Sequence, residues 1–113
     1  MENNPLELAK KIRKILSDKK GEAIALFDVR RVLDIADYCI VVSGSSSPHL
    51  RAMFDDVQVE LKKEGLPCYR KAGMSESGWM VLDYVDVIVH IFMPDAREYY
   101  SIEELWVKAP LVR

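Results

Sequence analysis

The sequence contains few of the residues on which chemical function most often depends. It has two cysteines among 113 residues, and Cys39 and Cys68 lie in apolar or strand-like stretches without the spacing of metal ligands. Residues 1–4 resemble neither a transit peptide nor a secretory signal, so we expect two reduced, buried thiols. No apolar run approaches the roughly 18 residues of a membrane span. These absences predict a cytoplasmic protein that does not contact a membrane.

An excess of charge of either sign is also absent. The chain has 16 Lys and Arg residues against 18 Asp and Glu residues, for a net charge of −2. Because the basic residues form small separate groups, nucleic acid is excluded as the main ligand, and only a minor contact with RNA phosphates stays open. A chain of this length predicts one domain, residues 1–113.

Hydrophobic periodicity predicts the order α-β-β-α-β-β-β-α. This order indicates a single compact α/β (α+β) domain whose mixed, mostly five-stranded sheet is flanked by helices. Asn4 is the expected cap of a first helix that starts at Pro5 and stops at Gly21, and a second helix extends from the cap Ser47 to Gly65. The other predicted features are strands at residues 23–28, 38–43 and around 67–70, a flexible loop at 72–78, a hairpin within 78–92, a helical turn at 94–98 and a capping box at 101–104.

The hairpin is the most informative stretch of the chain. Residues 79, 81 and 83 alternate with residues 80, 82 and 84, which suits a strand with two different faces. The run Val87-Ile88-Val89 is typical of a strand covered on both faces. Trp79 lies at the mouth of the hairpin, where it is either part of the core or an anchor for a partner.

Three polar features have two interpretations each. Residues 44–47 follow a strand and precede a helix, which favours either an anion-binding loop or a serine-rich turn with a helix cap. The loop lacks the lysine and second glycine of a P-loop. His49 is a surface histidine or part of a polar recognition edge. His90, in mid-strand, is either hydrogen-bonded across the sheet or catalytic.

A metal-dependent, nucleotidyltransferase-like enzyme is the alternative from another functional class. It would use Ser45, Asp55 and Asp83 around a divalent cation. Asp55 and Asp56 are adjacent on a predicted helix, however, where neighbouring side chains point about 100° apart and cannot share a metal. Asp83 and Asp86 flank a turn without a third ligand in the sequence nearby, which favours turn chemistry or contacts with a partner.

Aromatic residues are concentrated in the C-terminal half. Trp, Tyr and Arg dominate the binding energy of protein–protein interfaces, so this composition favours a recognition surface over a reaction centre. The six residues are Tyr69, Trp79, Tyr84, Tyr99, Tyr100 and Trp106. Because Trp106 follows the predicted capping box, we expect it to pack on the sheet.

Several motifs together are specific for one family. They are Ala-Asp-Tyr at 36–38, Val-Ser-Gly-Ser-Ser-Ser-Pro-His at 42–49, Gly65, the whole run 78–92, Arg97, Tyr100 and Leu-Trp at 105–106. On these residues the chain resembles the ribosomal silencing factor family, also called the RsfS or Iojap family. It departs from the family at Val85, where glycine is usual and makes a tight turn easier.

The resemblance implies a fold related to nucleotidyltransferases but without their catalytic carboxylates, and a binding role that needs no cofactor or metal. It implies docking on the large ribosomal subunit, at ribosomal protein L-fourteen, which blocks joining of the small subunit and lowers translation under nutrient limitation. It also implies a homodimer. A module that self-associates through the hairpin edge is a further alternative.

A hypothesis about the docking residues follows from the resemblance. Trp79 would be the buried anchor, and Met80, Leu82 and Tyr84 would line the apolar centre of the docking face. Asp83 and Asp86 would meet basic groups of the ribosomal protein. Lys71 and Arg97 would form the polar rim.

Overall fold

The computed structural model describes residues 4–113, so predictions about residues 1–3 lie outside it. Its helices and strands are α1 (Pro5–Asp18), β1 (Glu22–Asp28), β2 (Tyr38–Ser43), α2 (Ser47–Lys62), β3 (Arg70–Met74), β4 (Trp79–Asp83), β5 (Val87–Phe92) and α3 (Pro94–Tyr100). Two short 3-10 helices occupy Ser75–Ser77 and Ile102–Trp106. Within residues 4–113, no helix combines the length and the apolarity that crossing a bilayer requires.

The five strands form one sheet in the order β1-β2-β5-β4-β3. β2 and β5 are parallel and the other neighbouring pairs are antiparallel. The parallel pair is connected through α2, β3 and β4, which gives the long connection that parallel strands need. The prediction of a single α/β domain with a mixed five-stranded sheet is confirmed. Its relation to nucleotidyltransferases stays a prediction.

One face of the sheet is covered by α1 and α2 and holds the larger core. α1 begins at Pro5, where the Asn4 side chain accepts hydrogen bonds from the amides of Leu6 and Glu7, as expected of a helix cap. Its apolar side chains point into this core. Burial of one such aliphatic side chain contributes about 1.5–3 kcal/mol. The fully buried members of this core are Ala9, Ile12, Leu16, Ile40, Val42, Leu50, Met53, Val57, Leu61, Leu82, Val87, Val89 and Ile91.

The opposite face carries a second, smaller core that the C-terminal segment covers in part. Trp106 is buried against Phe27, with ring centroids 5.4 Å apart, so the expectation that it packs on the sheet is confirmed. The amide of Asp28 donates to the carbonyl of Pro110 at 2.9 Å, which holds the segment along β1. β3 lies at the other edge, and all five of its residues are exposed.

Helix ends differ by a residue or two from the prediction. α1 ends at Asp18 with Lys19 as its cap, and Lys20 takes the left-handed conformation (φ 63°) that the sequence assigned to Gly21. The side chain of Ser46, not that of Ser47, caps α2 by accepting from the amide of His49. Both differences are local shifts that leave the helices in place.

The third strand was predicted around residues 67–70 and the next segment as a flexible loop, and both predictions are wrong. β3 begins at Arg70, and all five of its residues pair with β4, including residues 72–74 of the predicted loop. Gly73 makes this pairing fit, because at φ 87° an added Cβ would lie 2.1 Å from the carbonyl oxygen of Trp79. Ser75–Ser77 then forms a 3-10 turn.

The predicted capping box at residues 101–104 is also wrong. Ser101 ends α3 in the left-handed conformation (φ 48°), and its hydroxyl donates to the carbonyl of Glu98. It makes no side-chain cap to the following 3-10 helix. A helix cap needs an extended backbone, which the left-handed Ser101 does not have. Glu103, between the two residues of the motif, forms an ion pair with Arg97.

Candidate functional site

Part of the sheet is left uncovered on the face opposite α1 and α2. The register pairs Arg70 with Asp83, Ala72 with Val81 and Met74 with Trp79 across β3 and β4, so these side chains share that face. We call these six residues the open strip. Their exposure rises from partly exposed on β4 to exposed on β3. Four of the six side chains are apolar and the Arg70–Asp83 pair lies at one end; an apolar group of this kind on an uncovered sheet face is typical of an interaction site.

Trp79 is the largest side chain of this surface, lies at its end beside Met74, and is only partly buried. Its ring stacks on that of Phe92, with the centroids 5.0 Å apart and the planes 27° from parallel, and its centroid lies 4.6 Å from that of Tyr100. Its indole Nε1–H donates a hydrogen bond of 3.2 Å to Nδ1 of His90 on the neighbouring strand. Trp79 thus belongs to the rim of the second core and also presents part of its ring to solvent.

His90 bonds across the sheet, which confirms the first of its two interpretations. Its ring lies between those of Trp79, Phe92 and Trp106, at centroid distances of 6.0, 6.2 and 5.8 Å. Burial among them lowers the pKa of His90 to about 4. At neutral pH the imidazole is uncharged, and because Nδ1 accepts from Trp79, its proton lies on Nε2.

Met80, Leu82 and Tyr84 do not line an exposed face, so that part of the docking hypothesis is wrong. They are 3%, 0% and 7% exposed and pack in the core beneath α1 and α2. Alternation along the strand places them opposite Trp79. The two faces of this strand are both apolar, and the sequence alone does not reveal which one the helices cover.

The four charged residues of the hypothesis fall in three places. Asp83 lies on the open strip, where it accepts from the amide of Val85 at 2.8 Å and lies 3.8 Å from Arg70. Asp86 is exposed at the nearby hairpin end. Lys71 is exposed on the helix side of β3, where it donates to Gln58 at 3.1 Å.

Arg97 is largely buried and is not a rim residue. It is 15% exposed, forms two hydrogen bonds with Glu103 and donates a third, of 2.8 Å, to the hydroxyl of Ser43. These contacts hold α3 and the C-terminal segment against the end of β2. Its role in binding is therefore indirect.

Three exposed apolar side chains near the hairpin end were not among the docking residues of the hypothesis. Ile35, Tyr69 and Val85 are 70%, 64% and 55% exposed and line one shallow depression together with Ile88 and the Arg70–Asp83 pair. They lie in loops and turns, where no periodicity marks them. Tyr69 was noted as one of six aromatic residues and Val85 as an unusual valine, but Ile35 gave no signal. This depression extends the open strip at its acidic end.

The serine-rich loop before α2 is a helix cap. The ring of His49 accepts from the amide of Ser45 at Nδ1 (2.9 Å) and bonds the carbonyl of Lys19 at Nε2 (2.8 Å). Because the amides of Ser45 and His49 are bound within the loop, the cap interpretation is confirmed.

Groups for metal or thiol chemistry are not assembled in the part of the chain that the structure describes. No three His, Cys, Asp or Glu side chains among residues 4–113 are grouped to hold a metal ion. Cys39 and Cys68 are free; Cys39 is buried and Cys68 partly so. Burial raises the pKa of the Cys39 thiol to about 12, which keeps it protonated.

Comparisons with known proteins agree on one family. Residues 2–113 match the family described as "Ribosomal silencing factor during starvation". The chain is 38% identical over 101 residues to the ribosomal silencing factor of Haemophilus influenzae, covering 89% of this chain and 99% of that protein. It is 27% identical over 95 residues to the mouse protein "Mitochondrial assembly of ribosomal large subunit protein 1", covering 81% of this chain and 42% of that protein.

A solved structure extends the agreement to the fold. The crystal structure of a Chromobacterium violaceum protein superposes with a TM-score of 0.88 at 33% identity, covering 92% of this chain and 87% of that one. Sequence, motifs and fold lead to the same identification: the chain belongs to the ribosomal silencing factor family.

Proposed function

We propose that this protein represses translation by occupying the large ribosomal subunit at ribosomal protein L-fourteen, so that the small subunit cannot join. The mechanism is steric and forms no covalent bond. The observation that carries the proposal is Trp79, a partly exposed tryptophan on an uncovered sheet face. A family of silencing factors and a mouse relative named for the large ribosomal subunit support the choice of partner.

The open strip supplies the contacts in this proposal. Trp79 is the anchor, with Met74 (62% exposed) beside it on the edge strand. Asp83 and Asp86 meet basic groups of the ribosomal protein, and Lys71, exposed on the helix side of the edge strand β3, contacts it at the outer edge of the interface. Loss of a central aromatic anchor costs about 2 kcal/mol, or roughly thirtyfold in affinity. Rim charges mainly change the association rate.

Co-sedimentation with purified ribosomal subunits tests the proposal. The wild-type protein should pellet with the large subunit and not with the small one, and Trp79→Ala should reduce binding about thirtyfold. Met74→Ala and Val59→Ala form a matched pair, because both remove exposed apolar side chains but Val59 (50% exposed) lies on α2, away from the strip. We expect only Met74→Ala to weaken binding.

Two outcomes would contradict the proposal. Failure of the folded wild-type protein to bind the large subunit would exclude silencing by occupancy. It would favour the alternative of an enzyme that binds nucleotides and divalent metals. If Val59→Ala weakened binding more than Met74→Ala, docking would use the helical side. Folding of each variant is checked by circular dichroism and urea unfolding.

A homodimer, in our proposal, uses the same open strip. A partly exposed tryptophan beside the exposed edge strand β3 supports this, since an isologous interface needs one self-complementary patch. Dimer and ribosome would then compete for one surface. Light scattering should give a larger mass for the wild-type protein than for Trp79→Ala, and added large subunit should dissociate the dimer. A wild-type protein that stays monomeric at high concentration would exclude this part of the proposal.

A further inference from the structure

The partly exposed indole of Trp79 donates a hydrogen bond to His90 on the neighbouring strand. Trp79 pairs with Phe92 across β4 and β5, and Val81 pairs with His90, so the imidazole lies diagonally beside the indole on the same face. Diagonal neighbours are within reach of aromatic side chains. The 3.2 Å bond from Nε1–H to Nδ1 is directional. The stack on Phe92 and the contact with Tyr100 are apolar and tolerate more than one orientation of the ring.

We infer that His90 is a positioning residue, whose imidazole holds the indole of Trp79 in the one orientation that the open strip presents to its ribosomal partner. This inference rests on the proposed function, because it assigns how the anchor of that surface is prepared for binding. A partly exposed indole without a polar partner can rotate about its bond to Cβ. The hydrogen bond to His90 keeps the Nε1 edge of the indole buried and leaves the opposite edge free to contact a partner.

The acceptor itself is held firmly. The centroid of the imidazole lies 6.2 Å from that of the Phe92 ring, with the two planes 13° from parallel, and 5.8 Å from that of Trp106. Both of these neighbouring side chains are buried. Burial also keeps the pKa of His90 low, near 4, so Nδ1 stays an uncharged acceptor at neutral pH. The strip therefore pays little ordering entropy at Trp79 when it binds, which is the usual benefit of preorganisation.

Two substitutions separate the hydrogen bond from the volume of the ring. His90→Phe keeps a ring of similar size and removes the acceptor. His90→Asn is smaller but places an amide oxygen near the position of Nδ1. We expect His90→Phe to weaken binding to the large subunit about five- to tenfold, which is the effect of one lost hydrogen bond. His90→Asn should restore most of this loss.

A double-mutant cycle shows whether His90 acts through Trp79. In a Trp79→Phe background the indole N–H is absent, so His90→Phe should add no further loss of binding. If His90 only supported the fold, His90→Phe would weaken binding by the same factor whether residue 79 is tryptophan or phenylalanine. Equal losses in both backgrounds would overturn the inference.

The indole N–H resonance in ¹H–¹⁵N NMR spectra tests the bond in the free protein. Trp79→Phe assigns the two indole signals, since Trp106 gives the other. We expect slow hydrogen exchange for the Trp79 indole in the wild-type protein and in His90→Asn, and faster exchange in His90→Phe. Fast exchange in the wild-type protein would overturn the inference even if no His90 variant folded. Failure of the wild-type protein to bind ribosomes, with a protected indole, would instead reject the proposed function.

Discussion

The guanidinium of Arg97 and the carboxylate of Glu103 are joined by two hydrogen bonds of 2.8 and 3.0 Å. Such two-point pairs are the strongest geometry for these groups. Since Arg97 also donates to Ser43, one side chain connects β2, α3 and the C-terminal 3-10 helix. The segment that covers the second core is therefore held by an ion pair of which Arg97 is the less exposed partner.

Replacing Arg97 by methionine should lower the free energy of unfolding by about 2 kcal/mol. Breaking a fully buried pair costs about 3–5 kcal/mol, and the smaller value reflects Glu103, which is 32% exposed and can be solvated. Urea unfolding followed by circular dichroism measures the change. Arg30→Met is the control, because the Arg30 side chain is 58% exposed and solvent screens its pair with Asp28, so the loss of stability should be clearly smaller than for Arg97→Met. A loss of ribosome binding without a loss of stability would place Arg97 in the interface after all.

Substituting Val85 by glycine should raise stability by about 1 kcal/mol. Val85 has φ 72°, and the amide of Asp86 donates across it to the carbonyl of Tyr84 at 2.8 Å, which forms a strained three-residue turn. Removing strain of about 1–3 kcal/mol outweighs the entropy cost of glycine, about 0.5–1 kcal/mol.

The same change at Val59 provides the control for Val85. Val59 is also an exposed valine but lies within α2, where glycine costs about 1 kcal/mol. The midpoints of urea unfolding should therefore move in opposite directions. Equal losses for both glycine variants would show that the hairpin turn carries no strain.

The sequence predicted elements whose signals are local. Asn4 and Pro5 start α1 as expected, and the alternation around Trp79 marked β4. Prediction from the sequence failed where a contact between distant residues decides which face of an element is buried. Met80 and Leu82 are core because α1 and α2 cover that face, and no neighbour in sequence carries this information.

The candidate site shows the same division between local and distant information. Trp79 was found from its position in the hairpin, but its hydrogen bond to His90 depends on the register of β4 against β5. The capping box at Ser101 failed because Ser101 takes the left-handed conformation that ends α3, whereas a helix cap needs an extended backbone. Motif spacing identifies candidate residues, whereas the packing of other elements decides which of them reach solvent.

Substituting Gly73 by alanine should destabilise the protein by about 3 kcal/mol or more. The new Cβ would lie 2.1 Å from the carbonyl oxygen of Trp79, and backbone cannot move aside without breaking the β3–β4 pairing. Gly65→Ala is the matched control, because Gly65 has a similar φ (78°) but no atom within 4 Å of an added Cβ. It should cost about 1–2 kcal/mol from conformation alone. Thermal unfolding compares the two, and equal losses would contradict the close approach at Gly73.

Stability should fall as the pH falls below 6.5, because His90 is held uncharged in the folded protein. Its pKa is about 4 when folded and near 6.5 when unfolded. Between these values the unfolded chain binds a proton that the folded chain does not, so the neutral imidazole stabilises the fold fully above pH 6.5 and progressively less toward pH 4. At pH 5 the free energy of unfolding should be about 2 kcal/mol lower than at neutral pH. Urea unfolding at pH 7.5 and pH 5 measures it, and His90→Asn should remove most of the difference. An unchanged pH dependence in His90→Asn would mean that His90 is protonated as readily in the folded protein as in the unfolded chain.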